Sequence, residues 1–192
     1  MDAPTANHLA EAARRGDKAA ATRLIELFYE RIYAFLRRLT GNDADAADLT
    51  QRTFSRVWQA LPTFAGRSTF SSWIHGIAHH VYVDWRRANR HEPRSEEWWN
   101  ARVATQPAPD ETAVHNDLAA ALFASVDTLD HDLREAVHLH YYQDLSLQET
   151  AEALGVATST VKYRLRHALA QLQWQFDHDR QTLKSPYPAK AT

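Results

Sequence analysis

Residues 147–165 read LQETAEALGVATSTVKYRL, and this stretch predicts two short helices that meet at a tight turn. Gly155 can adopt the left-handed conformation that ends the first helix, and Thr158 or Ser159 can cap the second. Ala151 is small at the point where the two helices must approach each other closely. A pair of helices joined in this way is typical of a helix-turn-helix.

The second helix of this pair has an apolar face and a polar face. At about 100° per residue, its apolar side collects Val161, Leu165, Ala168 and Leu172. The polar face and its flanks carry hydroxyl, aromatic and basic side chains, namely Ser159, Thr160, Lys162, Tyr163, Arg164, Arg166 and His167. A helix that enters the DNA major groove has this division, with base-edge readers in the centre and phosphate-binding cations beside them. We interpret these residues as DNA-binding; the simpler alternative is a solvated basic helix face.

The rest of the chain has a helical pattern as well. Ala, Leu, Glu, Arg and Gln dominate, Gly is scarce, and alternating strand runs are absent. Amphipathic helices are predicted over 17–39, from the acidic stretch 42–45 to Pro62, and over about 69–88. The sequence therefore predicts an all-α fold.

A change in composition divides the chain into two helical domains. We predict a first domain over 8–90, a linker over 91–112, a second domain over 113–178 and a mobile tail over 179–192. The linker contains the Trp98–Trp99 pair. Adjacent tryptophans are unusual in a purely flexible tether, so part of the linker is expected to dock on a surface.

Composition excludes several classes of protein. The chain has no cysteine, which excludes disulfides, thiol nucleophiles and thiolate metal sites. No apolar run approaches the roughly 20 residues of a membrane span, and the first residues lack the features of a signal peptide. A cytoplasmic protein without membrane association is therefore expected. The net charge of -2 argues against coating nucleic acid by bulk attraction, so a DNA reader needs clustered cations.

Two further motifs flank the helix-turn-helix on its N-terminal side. They are LDHDLREAV at 129–137 and YYQDLS at 141–146. Together with the helix-turn-helix they resemble region 4 of the extracytoplasmic-function sigma factors, which give RNA polymerase its promoter specificity. The resemblance implies that this domain reads the minus-thirty-five promoter element. Response-regulator proteins share part of the pattern, so a stand-alone helix-turn-helix regulator is the alternative.

The first domain resembles sigma region 2, which opens the minus-ten element. The resemblance rests on TFAGRSTFSSWI at 63–74 and DWRR at 84–87. Melted DNA needs aromatic faces for stacking and cations for its single-strand backbone. The candidate minus-ten residues are Phe64, Arg67, Ser68, His80, Arg86, Arg87 and Arg90. Phe70 and Trp73 fit either a stacking role or a core role.

One part of the region 2 helix departs from the family. Where many members carry Arg or Asn, this chain has Gly76, His79 and His80. The family's base contacts therefore do not carry over directly to these three positions.

The helix that begins near Asp45 resembles region 2.2, the surface that docks on the clamp helices of the largest polymerase subunit. The family pattern is approximately DAEDLVQETF, whereas residues 45–54 read DAADLTQRTF. The candidate polymerase-binding residues are Asp45, Asp48, Gln51 and Arg52. If the polymerase surface is basic, a Glu-to-Arg change weakens association. Drift at a tolerant position is the alternative.

Two threonines lie beside the missing carboxylates. Thr50 is expected to point inward, and Thr53 is expected at the edge of the apolar face, within reach of a kinase. A subgroup of these sigma factors with a depleted acidic patch is activated by a Ser/Thr protein kinase, and this chain resembles that subgroup. The resemblance implies phosphorylation at Thr53, with Thr50 second, because a phosphate adds about two negative charges. An anti-sigma factor is a further candidate partner.

No catalytic constellation is present in the sequence. The pairs His79–His80 and His138–His140 are too close in sequence to converge on one face of a helix, and there is no HExxH-type pair. We therefore expect a protein that is not an enzyme, with no metal and no cofactor. A metal-dependent hydrolase is the least favoured class.

Overall fold

The computed structural model describes residues 5–89 and 122–184, with side chains as far as residue 178. All regular structure in these ranges is helical, which confirms the all-α prediction. No helix in the described ranges is both long and apolar enough to span a bilayer. The predicted linker with Trp98–Trp99 and the last residues of the predicted tail lie outside the described residues.

The first domain contains four helices, which are α1 (Ala6–Arg14), α2 (Lys18–Thr40), α3 (Asp43–Ala60) and α4 (Phe70–Ala88). Local capping sets their boundaries. The Asp17 carboxylate accepts hydrogen bonds from the backbone N–H groups of Ala19 and Ala20 at 2.9 and 3.1 Å. Gly41 ends α2 in the left-handed conformation, with φ of 73°. The three predicted helices of this domain are confirmed, whereas α1 was not predicted.

The core of the first domain is centred on α3, which packs against both α2 and α4. Phe28 and Ile32 of α2, Leu49 of α3 and Ile74 of α4 are all buried there. Contact on two sides gives α3 a wide buried face. That width decides which of its polar residues reach the surface.

Within the described residues, the second domain contains helical residues 122–127, α5 (His131–Val137), a π-helical turn (His138–Tyr142), α6 (Leu147–Leu154) and α7 (Thr158–Lys184). Ser146 and Glu149 form a reciprocal capping box at the start of α6, and Gly155 ends it with φ of 65°. The predicted helix-turn-helix is thus confirmed. Helix α7 continues to Lys184, past residue 178, where we expected the second domain to end and the tail to begin.

Two buried histidines make the stability of the fold depend on pH. Burial lowers the pKa of His75 from 6.5 to about 4. Burial, assisted by the charges of Arg38 and Arg134, lowers the pKa of His138 to about 3. Since the unfolded chain binds protons first, the stability conferred by the neutral rings is complete above about pH 6.5 and is lost as the pH falls toward the folded values.

We expect the unfolding free energy to be lower at pH 5 than at pH 7.5 by about 2 kcal/mol for each of the two histidines. Urea unfolding at the two pH values measures this loss. The variant His138→Leu lacks one of the two rings that must stay neutral. The unfolding free energy of this variant should therefore fall less between pH 7.5 and pH 5 than that of the unmodified chain. Equal unfolding free energies of the unmodified chain at both pH values would contradict the prediction.

Candidate polymerase and nucleic-acid interfaces

An open groove of about 490 Å³ lies between α2 and α3. It is lined by Ile25, Tyr29, Ala47, Asp48, Gln51 and Phe54. Ile25 and Tyr29 are 37% and 43% exposed although both are large and apolar. The Tyr29 ring stacks on the Phe54 ring with 6.0 Å between centroids. Two of the predicted docking residues, Asp48 and Gln51, therefore face an apolar surface that α2 supplies and that the sequence motif did not indicate.

The negative charge beside this groove is weak. Arg52 pairs with the Asp48 carboxylate at 2.7 Å, and both side chains are exposed. Asp45 is partly buried, and burial together with the nearby Asp48 raises its pKa. Ala47 is exposed and contributes no charge at the position where the family pattern has Glu. One of the two nearby carboxylates is thus paired with an arginine one helical turn further along α3.

Both candidate phosphorylation sites on α3 are buried. Thr50 and Thr53 are 0% exposed. Their hydroxyls donate to the carbonyls of Ala46 and Leu49, each at 2.7 Å. The inward position of Thr50 is confirmed, but the expectation that Thr53 lies within reach of a kinase is wrong. The reason is that α2 and α4 both cover α3, so its buried face is wider than its apolar sequence pattern indicated.

Phe64 lies in the core of the first domain rather than on its surface. It is 7% exposed, and its ring centroid lies 4.9 Å from that of Trp73 and 5.7 Å from that of Phe70. This burial contradicts the expectation that Phe64 stacks on an extruded base. The 3-10 turn Leu61–Thr63 directs the chain inward immediately before Phe64.

Most of the other minus-ten candidates lie on the surface. Arg67, His80 and Arg87 are exposed, and Ser68 is half-buried. Arg86 is half-buried, with its guanidinium 6.0 Å from the centre of the Tyr82 ring. Arg90 lies outside the described residues.

A second open groove, of about 470 Å³, lies beside His80. Arg56 of α3 and Ile77 of α4 also line it. Arg56 lies 3.1 Å from the carboxylate of Asp84. The region 2 motif did not include Arg56 among the candidate minus-ten residues, because Arg56 lies on a different helix from that motif.

The predicted recognition face of α7 is accessible. Ser159, Lys162, Arg166 and His167 are exposed, and Thr160 is half-buried. Tyr163 is 58% exposed and stacks on the His167 ring with 5.8 Å between centroids. Cations and an aromatic pair therefore share one solvent-facing surface.

Arg164 differs from its neighbours on α7. Its side chain is only 16% exposed and pairs with Asp132 at 2.6 Å. Arg164 therefore connects α7 to α5 within the second domain. We expected Arg164 to flank the DNA-reading face as a phosphate-binding cation. The structure instead pairs it with Asp132.

Several histidines without an assigned role lie where the two domains meet. Glu135 is 3% exposed, and its carboxylate accepts a hydrogen bond from Nε2 of His79 at 3.1 Å. The same oxygen lies 3.1 Å from Nδ1 of His131, whose Nε2 is 2.7 Å from the Tyr82 hydroxyl. Burial alone raises the pKa of Glu135, but hydrogen bonds from His131 and His79 lower it to about 2. This cluster connects α4 with α5.

His131, Asp132 and Glu135 have ligand atoms within 4.8 Å of one another, the spacing of a possible metal site among the described residues. All three already have protein partners, since His131 contacts the Tyr82 hydroxyl. Asp132 pairs with Arg164, and Glu135 bonds to His79. Ion pairing and hydrogen bonding account for this cluster without a cation.

Comparison with protein families gives two matches, in the order that the motifs predicted. Sigma-70 region 2 matches residues 24–92, and Sigma-70 region 4 matches residues 119–172. The chain is 32% identical over 190 residues to the ECF RNA polymerase sigma factor SigE of Mycolicibacterium smegmatis, covering 96% of this chain and 73% of that protein. It is 31% identical to the ECF RNA polymerase sigma factor SigX of Bacillus subtilis, covering 78% and 80%.

Two solved structures share the fold. One is CnrH in complex with the cytosolic domain of CnrY, with a TM-score of 0.66, 24% identity, and coverage of 91% of this chain and 99% of that one. The other is RpoE in complex with the anti-sigma factor NepR from Bartonella quintana, with a TM-score of 0.64, 24% identity, and coverage of 81% and 96%.

Proposed function

The chain belongs to the extracytoplasmic-function sigma factors, non-enzymatic proteins that direct transcription initiation, and on that premise we propose that the groove between α2 and α3 docks on the clamp helices of the largest polymerase subunit. The observation that carries this proposal is the exposed apolar pair Ile25 and Tyr29 beside the carboxylate of Asp48. Apolar anchors rimmed by polar groups are typical of protein interfaces. Core polymerase as partner also implies that the protein acts in the cytoplasm.

We propose that the first domain reads the minus-ten element and the second reads the minus-thirty-five element. For the first, the accessible groups are Arg67, Ser68, His80, Arg86 and Arg87. For the second, they are Ser159, Thr160, Lys162, Tyr163, Arg166 and His167. Exposed cations can bind phosphates, and the hydroxyls and the aromatic pair can contact bases.

We further propose that polymerase docking is weak until negative charge is added near residues 45–53. The Asp48–Arg52 ion pair and the neutral Ala47 support this proposal, since each removes negative potential from the docking face. Phosphorylation by a Ser/Thr protein kinase at Thr53, with Thr50 second, is the proposed source of charge. Because both hydroxyls are buried, α3 must open locally before a kinase can reach them. An anti-sigma factor stays a second proposed partner.

Charge substitution at an exposed position tests the docking proposal. We expect Arg52→Glu to raise the affinity for core polymerase about tenfold, because it removes the partner of Asp48 and restores the family's acidic residue. Arg52→Gln is the matched control and should give a smaller gain. Both gains should shrink at high salt. An affinity of Arg52→Glu no higher than that of the unmodified chain would contradict the docking proposal.

The phosphorylation proposal needs its own comparison. We expect Thr53→Glu to bind core polymerase more tightly than Thr53→Gln, which has a similar size and no charge. Circular dichroism monitors folding, because either side chain must leave the buried site that Thr53 occupies. Equal affinities of the two folded variants, and likewise of Thr50→Glu and Thr50→Gln, would reject threonine phosphorylation as the switch.

A further inference from the structure

Ser55 carries the one hydroxyl of α3 that reaches the surface. Helix α3, which the structure describes along its whole length, contains three hydroxyl residues. The other two, Thr50 and Thr53, are buried and donate to backbone carbonyls. The Ser55 side chain is exposed, and its Oγ accepts a hydrogen bond of 3.4 Å from Nε2 of Gln59. Chemistry at Ser55 therefore requires no side chain to leave the core.

Ser55 also lies on the same side of α3 as Asp48. At about 100° and 1.5 Å per residue, Ser55 falls within about 20° of Asp48 and about 10 Å further along the helix axis. Gln51, which lines the α2–α3 groove, lies between them. The position is also clear of the last turn of α3, in which the helix dipole opposes negative charge. A negative charge at Ser55 therefore adds to the face that carries the proposed docking groove.

Two arginines lie beside Ser55 in the sequence. Arg52 lies three residues before it, and Arg56 follows it directly. Side chains three or four residues apart are neighbours on a helix surface, so the Arg52 guanidinium can reach Asp48 on one side or Ser55 on the other. Residues 45–56 carry two aspartates and two arginines, whose charges cancel. A phosphate on Ser55 brings about two negative charges to this neutral stretch.

A phosphate at this position also competes for the partner of Asp48. Arg52 lies 2.7 Å from the Asp48 carboxylate, and both side chains are exposed. A phosphate dianion carries more charge than a carboxylate and accepts paired hydrogen bonds from a guanidinium, so it attracts Arg52 more strongly. When Arg52 turns to the phosphate, the Asp48 carboxylate is left unpaired beside the groove. Negative potential then rises at two points of the same face.

We propose that Ser55 is a phosphorylation site, at which the added phosphate draws Arg52 away from Asp48 and strengthens docking on polymerase. In a Ser/Thr protein kinase, Oγ of Ser55 attacks the γ-phosphorus of ATP, and the bond from that phosphorus to the β–γ bridging oxygen breaks. ADP leaves with the bonding electron pair, and the hydroxyl proton passes to a base of the kinase. The purpose of the site rests on the proposed function. Unlike Thr53 and Thr50, this acceptor is exposed in the folded domain.

Phosphate transfer to the full chain tests whether the site exists. The probe is a purified Ser/Thr protein kinase that selects an arginine three residues before its acceptor, with ATP and phosphosite mapping by mass spectrometry. Thr40 is the internal control, because Arg37 lies at the same spacing but Thr40 is 0% exposed. We expect phosphate on Ser55 and roughly one-tenth as much or less on Thr40, which must first open locally. No phosphate on Ser55, or equal amounts on both residues, would overturn the proposal.

Titration with core polymerase tests what the phosphate does. We expect the phosphorylated chain to bind about tenfold more tightly than the unmodified chain. In Asp48→Asn the same phosphate should give only about a threefold gain, because no carboxylate remains for Arg52 to release. Ser55→Ala treated with the same kinase should gain no affinity. Equal or lower affinity after phosphorylation, or equal gains with and without Asp48, would overturn the proposal.

Arg52→Glu separates a failure of this inference from a failure of the proposed function. If Arg52→Glu binds polymerase more tightly but phosphorylation of Ser55 does not increase affinity, docking through α3 stands and the role of Ser55 is wrong. If neither change increases affinity, the charge-dependent docking proposal and the role of Ser55 are both wrong.

Discussion

Replacing Tyr29 by alanine is expected to lower the affinity of the chain for core polymerase by about 30-fold. Tyr29 is a large aromatic side chain that lines the α2–α3 groove, is 43% exposed and stacks on Phe54. Buried aromatic anchors at protein interfaces cost 2 kcal/mol or more when truncated, and ~2 kcal/mol corresponds to about 30-fold in affinity. Titration of labelled chain with core polymerase measures the change.

Tyr141→Ala is the matched control for this variant. Tyr141 is 50% exposed, but it lies in the second domain, and its ring contacts that of His140. Its removal should leave the affinity for polymerase within about twofold of the unmodified chain, as for a residue outside the binding core. If both tyrosine variants bind alike, the groove is not the docking surface.

Replacing Arg166 by alanine is expected to weaken binding of the polymerase complex to its selected promoter fragments by 10-fold or more. Arg166 is exposed on the recognition face of α7 beside the stacked Tyr163–His167 pair. Loss of one arginine contact to a base edge costs about 1–3 kcal/mol, which is roughly 5- to 150-fold. Filter binding at two salt concentrations measures the loss and separates base contacts from phosphate contacts.

Arg164→Ala and Arg15→Ala are the controls for Arg166. Arg164 is paired with Asp132, so its removal should lower thermal stability more than DNA affinity. The Arg15 side chain is 66% exposed just after the end of α1, far along the sequence from the helix-turn-helix, and its removal should change neither property. Equal DNA affinities of Arg166→Ala and Arg15→Ala would show that Arg166 makes no contact that contributes to DNA binding.

Local chemistry made much of the fold predictable. Asp17, Gly41 and Gly155 mark helix ends because capping and left-handed geometry depend on a few neighbouring residues. The helix-turn-helix was recognisable for the same reason. The short α1 was missed because its buried face contains only Leu9 and Ala10, too few large apolar residues to produce a clear period.

The wrong predictions for Thr53 and Phe64 have a different cause. Periodicity treats each helix as if it packs on one side, whereas α3 is covered on two, which buries Thr53. Phe64 follows a turn whose direction the sequence pattern did not reveal. The His79–Glu135 contact joins residues far apart in sequence and in different domains. No single-helix pattern contains that information.

Run-off transcription shows whether the chain directs core polymerase to defined start sites. The purified chain, core polymerase and a pool of genomic fragments are combined with nucleotides, and the 5′ ends of the transcripts are mapped. We expect transcripts that start at defined sites only when the chain is present and that fall sharply with Tyr29→Ala. Binding of the chain to duplex DNA without any defined transcript start would contradict a sigma-factor function and would indicate a stand-alone helix-turn-helix regulator.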